Sequence, residues 1–563
     1  MTRNIPRRHG ARPARSIAHA AGFLVLLAAA ASAQTGAGDP PAAGEPPAAR
    51  VEPAVRGILL AENPDSALTI ALSQIGGAPL PLAEAVTAAL DQATDVREAR
   101  GAMLAARGAM RAEKGAFDPE LFAEISRTEE DAPTSSPFSG ASVLETKALA
   151  ASTGARVTLP IGTELSASLQ TAKFETNSSF AALNPQYDAA GALEFRQPLL
   201  KGFGPGAWGE RSASVRAYEA ARARYDEQVQ RTRSDVEQAY WDLYAAERDL
   251  AVQRVIRDQA ASFLDQAQKR GRAGIVGPSV VANARVFLSE QEQALLDREE
   301  QYDARSDRLG SLMGRRPSSG VARYKPVDAP PREFTVESED SVVVRALEHN
   351  HALAAAERDV ASARARAQSA RWNSYPQLDL FGSIGGVGLS GAARDVVFGA
   401  DTLRTSITGG RGDAVSQALD RDFPTWTIGA RVTVPLGFRS GRGEHQRTKG
   451  ELEQAEQRLL AERRSLEEQV RAAHRELVHS VKRLEAATEG VDASLEQARV
   501  GLLEYGYGRT TSFDLVRLGA DVASSQQRYS QALVRTAKAV AQLRWLTSSH
   551  DLGGTTSTGK TTP

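Results

Sequence analysis

The 563-residue chain contains no cysteine, which excludes disulfide stapling, thiol catalysis, cysteine-held iron–sulfur clusters and a lipidated N-terminal cysteine. Its first 33 residues carry no acid but do carry Arg3, Arg7, Arg8, Arg12 and Arg15. The formal charge of -1 therefore becomes -6 for the remainder, the opposite of the balance a nucleic-acid binder carries. Beyond residue 33 no window of about 18 residues is continuously apolar, so any membrane crossing has to be made by alternating strands closed into a barrel. The eight histidines are scattered, with no H-E-x-x-H site, and spacing nominates no Ser/His/Asp set and no ATPase motif. The chain reads as non-enzymatic, without cofactor or metal. One G-x-G-x-x-G match, at Gly204, Gly206 and Gly209, opens a helix some 60 residues long with no βαβ succession behind it. It reads as a bend between a strand region and a rod, not as a nucleotide cradle.

With 42% hydrophobic and 24% charged residues the chain has enough apolar material to fold, and its length allows several subregions. Residues 1–33 have the basic start, apolar stretch and Ala31/Ala33 site of a signal peptide. Residues 34–80 begin rich in Pro, Gly and Ala and are expected to be a flexible leader. A first unit, 81–316, then runs as helix from 82 to 114, strand-like material from 117 to 200 and a long helix at 210–270. A break at Gly271, Gly274, Gly277 and Pro278 precedes a helix at 279–313. After a linker at 317–334, a second unit, 335–548, repeats the order: helix 338–372, strands 375–438, long helix 444–504, break at Gly506 and Gly508, helix 515–547. A flexible tail, 549–563, ends the chain. Leu90 and Leu347 are separated by 257 residues, and so are Pro119 and Pro376; ordered anchors at a fixed period mark an internal duplication.

The long helices carry apolar residues seven apart, at Val229, Val236, Leu243 and Leu250 and at Leu452, Leu459, Leu466 and Ala473. That spacing packs helix on helix. A helix of 61 residues at about 1.5 Å per residue is a rod of roughly 90 Å, and the two shorter helices of each unit together match its length. Tyr240, Trp241 and Tyr244 read as packing between rods. LEFRQPLL and TIGARVTVPLGF alternate as strands with one face in lipid do. Two strands per unit make four per chain. Four cannot close a water-filled barrel, whereas three chains would supply twelve. The Gly-rich insertion at 386–425 suits a barrel-rim loop.

Taken together, ALEHNHALAAAERDVASARA before YPQLDL, the FRQPLLKGFG and VPLGFRSGRGE turns and the two helix breaks resemble the TolC family of outer-membrane efflux and type I secretion channels, over roughly residues 80–550. The resemblance implies an α+β membrane channel: a trimeric twelve-stranded β-barrel, four strands per protomer, continued by a coiled-coil helical tunnel in the periplasm. It also implies the breaks' role as a periplasmic tip that meets an adaptor protein and narrows to an aperture. Gly274-Ile275-Val276 and Asn283-Ala284-Arg285 match the first turn, and Tyr505, Gly508, Thr511, Asp514 and Leu515 the second. The tip candidates are Gly271, Gly274, Val280, Gly506, Gly508, Arg509, Asp514 and Arg517. Asp514 stands where the family carries an entrance acid, while Arg517 and Val280 replace two further acids; pairing of Asp514 with Arg509 or Arg517 is the alternative. The expected activity is passive conduction of small molecules through the cell outer membrane. The expected partners are two further copies, outer-membrane lipid, a periplasmic adaptor, and an inner-membrane pump or secretion ATPase, with no nucleic acid. The alternatives are a duct for type I protein secretion and, from another class, a periplasmic structural coiled-coil protein.

Overall fold

The computed structural model describes residues 64–136, 139–316, 323–399, 401–507 and 509–548. The expected signal peptide 1–33, the leader up to residue 63, the tail 549–563 and Gly508 lie outside the described residues. The first unit holds α1 (Pro64–Ser73), β1 (Ala78–Leu80), α2 (Leu82–Gln92), α3 (Thr94–Gly115), β2 (Glu120–Pro133), β3 (Val143–Thr158), β4 (Glu164–Thr176), β5 (Leu183–Pro198), α4 (Pro205–Arg272) and α5 (Pro278–Leu312). The linker contributes β6 (Tyr324–Pro326). The second unit holds α6 (Glu339–His349), α7 (His351–Asn373), β7 (Gln377–Ala393), β8 (Val396–Phe398), β9 (Asp401–Leu403), α8 (Arg411–Asp420), β10 (Phe423–Thr433), α9 (Arg439–Gly506) and α10 (Ser512–Thr547). The duplication holds in detail, because the joints between α2 and α3 and between α6 and α7 fall at Ala93 and Asn350, again 257 apart. At the second joint Asn350 caps α7 by accepting from the Leu353 amide, and donates to the Leu546 carbonyl of α10.

The helices α4 and α9 have 68 residues each, about 100 Å at the usual rise. As the heptads require, α4 packs along α3, α5, α7 and α10, and α9 along α6, α7 and α10. Val236, Leu243 and Leu250 are fully buried, as are the aromatic groups of Tyr240 and Trp241, which meet edge to face. The Tyr240 hydroxyl donates to the Leu80 carbonyl (2.9 Å) and accepts from the Val327 and Asp328 amides (3.0 Å each). One phenol thus fastens the middle of α4 to the end of β1 and to the residues that directly follow β6. This packing corrects the expected leader: residues 64–80 form α1 and β1, with Ile75 and Leu80 buried in the Tyr240 cluster. The apolar run around Leu72 and Ile75 pays for ordering that the Pro/Ala-rich residues before it could not.

A buried carboxylate paired with a half-buried lysine lies in the same belt. Glu247 sits 3.6 Å from the Lys325 ammonium, which also donates to the Leu72 and Ile75 carbonyls. Burial pushes the Glu247 carboxyl above its ordinary value of 4.5. The folded state then holds that proton more tightly than the unfolded chain does. Its contribution to stability is full below pH 4.5 and is lost as pH rises through the folded-state value. Glu247→Gln should flatten this part of the profile, so that its melting temperature falls less than the wild type's between pH 4.5 and neutrality. Parallel melting profiles for the two proteins would disprove it.

The strand region departs most from expectation. A single antiparallel sheet has the order β10-β7-β5-β4-β3-β2, six strands and not four, with four contributed by the first unit. The twelve-strand total for three chains lapses with that count. The strand VLETKALAASTGARVT carries Ala and Thr on both faces, with Leu144 on one and Glu145 and Lys147 on the other, which leaves little contrast for period-2 reading. Nor is the 386–425 segment only a loop, since it contains the end of β7, the β8–β9 hairpin and α8. The helix α8 lies against β7 and β5 where Gly386 and Gly388 leave room; a Cβ at Gly388 would stand 1.9 Å from the Ala414 carbonyl oxygen.

Candidate functional site: sheet, junction and tip

Register places Glu120, Arg156, Ser166, Glu194, Ser383 and Thr427 in one row across the six strands, on one face. On the opposite face the neighbouring row is Leu121, Ala155, Ala167, Leu193, Ile384 and Trp426. Toward the helix-side end one face is therefore polar and the other apolar, the arrangement of a strand with water on one side and hydrocarbon on the other, while at the far end the second face carries Arg127, Glu129, Lys147, Lys173 and Glu175.

Where the sheet meets the helices, the polar face carries a chain of charges. Arg156 bonds Glu120 (2.6 Å); Arg196 bonds Glu164 (2.6 Å) and Asp379 (3.1 Å); Asp379 is the register partner of Arg431. Asp379 is 1% exposed and also accepts from Gln377 (2.7 Å). Sequence reading missed this cluster because Arg196 and Asp379 lie 183 residues apart, in different units. The glycines of the dismissed G-x-G-x-x-G match sit at the same junction. Gly204 has φ +53° just before α4 starts on Pro205, and Gly209 lies where a Cβ would stand 2.4 Å from the Ser369 Cβ of α7. They serve a turn and a close helix approach.

The other end of the helices holds the tip candidates. In the first turn Gly271 occupies the last turn of α4, and Gly274, at φ +73°, donates to the Gly271 carbonyl while Ile275 donates to that of Arg270. Val280 opens α5 and lines a cleft with Phe263, Phe287, Thr511, Val516 and Arg517. The fold thus brings Val280 and Arg517 of the two turns together. In the second turn α9 ends at Gly506, and the Arg509 amide donates to the Glu504 carbonyl.

Asp514 is committed to a capping box. Its carboxylate accepts from the Thr511 hydroxyl (2.7 Å) and amide (3.1 Å), and its own amide donates back to Thr511 (3.2 Å). Those bonds from Thr511, more than the charge of Arg517, hold its carboxyl below the ordinary carboxylate value. Within the single chain no ion pair within 4.0 Å joins Asp514 to Arg509 or Arg517 among the described residues. The T-x-x-D pattern was the available signal for a cap.

The sequence matches the sequence model of the outer membrane efflux protein family over residues 189–315 and 342–549. Solved structures with the same fold include the outer-membrane channel OprN, 16% identical, covering 83% of this chain and 89% of that one at a TM-score of 0.57. The Campylobacter jejuni CmeC outer membrane channel is 13% identical over 83% of this chain and 85% of its own, with a TM-score of 0.55. The open state of the Neisseria gonorrhoeae MtrE outer membrane channel is 16% identical over 83% and 88%, also at 0.55. No curated protein matches the sequence. Because the family match extends over more than half of the chain and into both copies of the duplicated fold, the protein belongs to the outer membrane efflux protein family.

Proposed function

We propose that the protein is a passive, homotrimeric channel of the cell outer membrane that conducts small molecules outward as the exit duct of a tripartite efflux system. The carrying observation is a sheet whose helix-side end has one polar and one apolar face and is joined directly to helices of 68 residues. Such a sheet, closed by copies of itself, encloses water and faces lipid, while the rods extend the duct on one side. Membership of the family supports the same reading.

The two efflux repeats, 81–316 and 335–548, supply equivalent halves of each protomer's wall. Their helix turns form the periplasmic tip, where an adaptor docks and links the channel to an inner-membrane pump that supplies the energy. At the aperture Gly274 provides the reversal and Asp514 caps the returning helix, so Asp514 acts on tip geometry more than as a free charge. The test is membrane fractionation followed by single-channel recording of the purified protein in planar bilayers. Recovery with outer-membrane lipid and stepwise conductance is expected. A soluble particle without conductance would return the structural coiled-coil alternative. Secretion of a protein substrate, lost on deletion of the gene while small-molecule tolerance stays unchanged, would favour the type I secretion duct.

A further inference from the structure

The sheet leaves two long edges bare. β2 and β10, of 14 and 11 residues, are exposed along nearly their whole lengths, and long apolar edges are templates for pairing. The fold covers an edge elsewhere: β7 outruns β10, and there Gly391 accepts from the Gly409 amide while the Leu389 amide donates to Gln417 of α8. The outer edges of β2 and β10 have no such cover among the described residues. Strand parity gives the kind of occupant. Every neighbouring pair in the sheet is antiparallel and the count is even, so β2 and β10 run in opposite directions. The β10 edge of one chain can therefore continue into the β2 edge of another without breaking the antiparallel order.

Register goes further and fixes the alignment. The row that starts at Glu120, the first residue of β2, reaches β10 at Thr427. β10 continues six residues past that row, to Thr433. The helix-side rim thus steps by six residues across one chain. A ring with a level rim places Thr433 beside Glu120 of the next copy, and all of β10 then lies opposite residues 120–130.

This alignment, derived from stagger alone, passes a separate chemical test. It sets Val432 opposite Leu121 and Ile428 opposite Ile125 on the apolar face, four side chains that are between 65% and 86% exposed in the single chain. On the polar face it sets Arg431 opposite Phe122, diagonally flanked by Glu120 and Glu124. A slip of one residue would turn the apolar face of one strand toward the polar face of the other.

We infer that three copies close through β10–β2 seams in this register into a barrel of eighteen strands, a wider ring than the twelve that the family resemblance implies. The inference rests on the trimeric reading above. With strands about 4.8 Å apart and about 3.4 Å per residue, a total stagger of eighteen residues over eighteen strands tilts them by about 35°, within the range barrels adopt. The ring is about 34 Å across its backbone, against about 22 Å for twelve strands at the same tilt. Barrels of this strand number hold an aqueous channel.

The absence of cysteine gives a clean background for the test. Directly opposite residues in an antiparallel pair lie about 4.5–5.5 Å apart, within reach of a disulfide. In the full chain, Ile125→Cys with Ile428→Cys should on mild oxidation convert the monomer band of a non-reducing denaturing gel into dimer and then three-copy bands. Either substitution alone, or Leu121→Cys with Ile428→Cys, should leave monomer. The unsubstituted protein, imaged end-on in detergent, should show the wider ring whether or not the variants fold. A trimer with a twelve-strand-sized ring, or cross-linking as strong in the displaced pair, overturns the seam and leaves the trimer standing. A particle that is not trimeric removes both.

Discussion

Replacing Arg196 with alanine is expected to cost the protein about 3–5 kcal/mol, the penalty for stranding a buried charge. Arg196 is the cation for Asp379, which is almost wholly buried and would keep only its bond from Gln377. It also holds Glu164, so one substitution frees two carboxylates on two strands from different units. The measurement is the unfolding free energy or heat resistance of the purified protein. Adding Asp379→Asn should restore most of the loss, because a neutral amide in that place no longer needs a cation. If the single variant matched the wild type, or the double variant were no better than the single, Asp379 would have to be solvated or held by other groups. Lysine at position 196 should recover only part of the loss, since one ammonium cannot span both carboxylates as the guanidinium fork does.

A leucine at Gly209 should be nearly as damaging, for a steric reason. The helices α4 and α7 approach each other through small residues: Gly209 lies against Ser369, and Ser362 donates to the Ala213 carbonyl (2.9 Å). Even the first carbon of a side chain at 209 would stand 3.2 Å from the Ser369 Cα, so the backbones themselves have to part. Overpacking of this kind costs about 1–3 kcal/mol, and a branched side chain at a helix crossing belongs at the upper end. The check is thermal unfolding together with recovery of assembled protein. Gly209→Ala should be intermediate, and Ser369→Gly should relieve it by removing the atom it strikes. Failure of that rescue would place the strain elsewhere along α4.

Much of the helical half could be read from the sequence because its signals are local and strong. Val236, Leu243 and Leu250 repeat at seven and are buried together, and Gly274 announces its turn. The breaks at Ala93 and Asn350 were not seen, since each interrupts the helix by a single residue. The sheet was half visible. LEFRQPLL contrasts apolar with polar, whereas the strand ending in Thr158 mixes Ala, Ser, Thr and Gly and shows no contrast at all. The charge cluster needed the register, which places Glu120, Arg156 and Arg196 near one another from three distant stretches of chain. At the tip the turns are legible in the sequence, and Asp514 reads there as an entrance acid with an ion pair as the alternative, whereas its bonds to Thr511 follow from a T-x-x-D spacing that the reading did not use.

The helix α10 follows both long helices in the chain and, together with α7, binds them to each other. Lys538 reaches Asp242 (2.8 Å) and Arg544 reaches Glu237 (3.1 Å) on α4, while Arg535 bonds Glu476 on α9. During synthesis the first unit is therefore complete in sequence long before its acids meet their cations. A polypeptide stopped short of α10 still has α7 between the two rods, but it leaves Glu237 without Arg544, Asp242 with Arg305 at 3.9 Å and Glu476 with Arg483 and Ser480 of its own helix. Chain order thus leaves the last ties between the two repeats to the final helix, after the β5–β7 pairing and α7 have joined them.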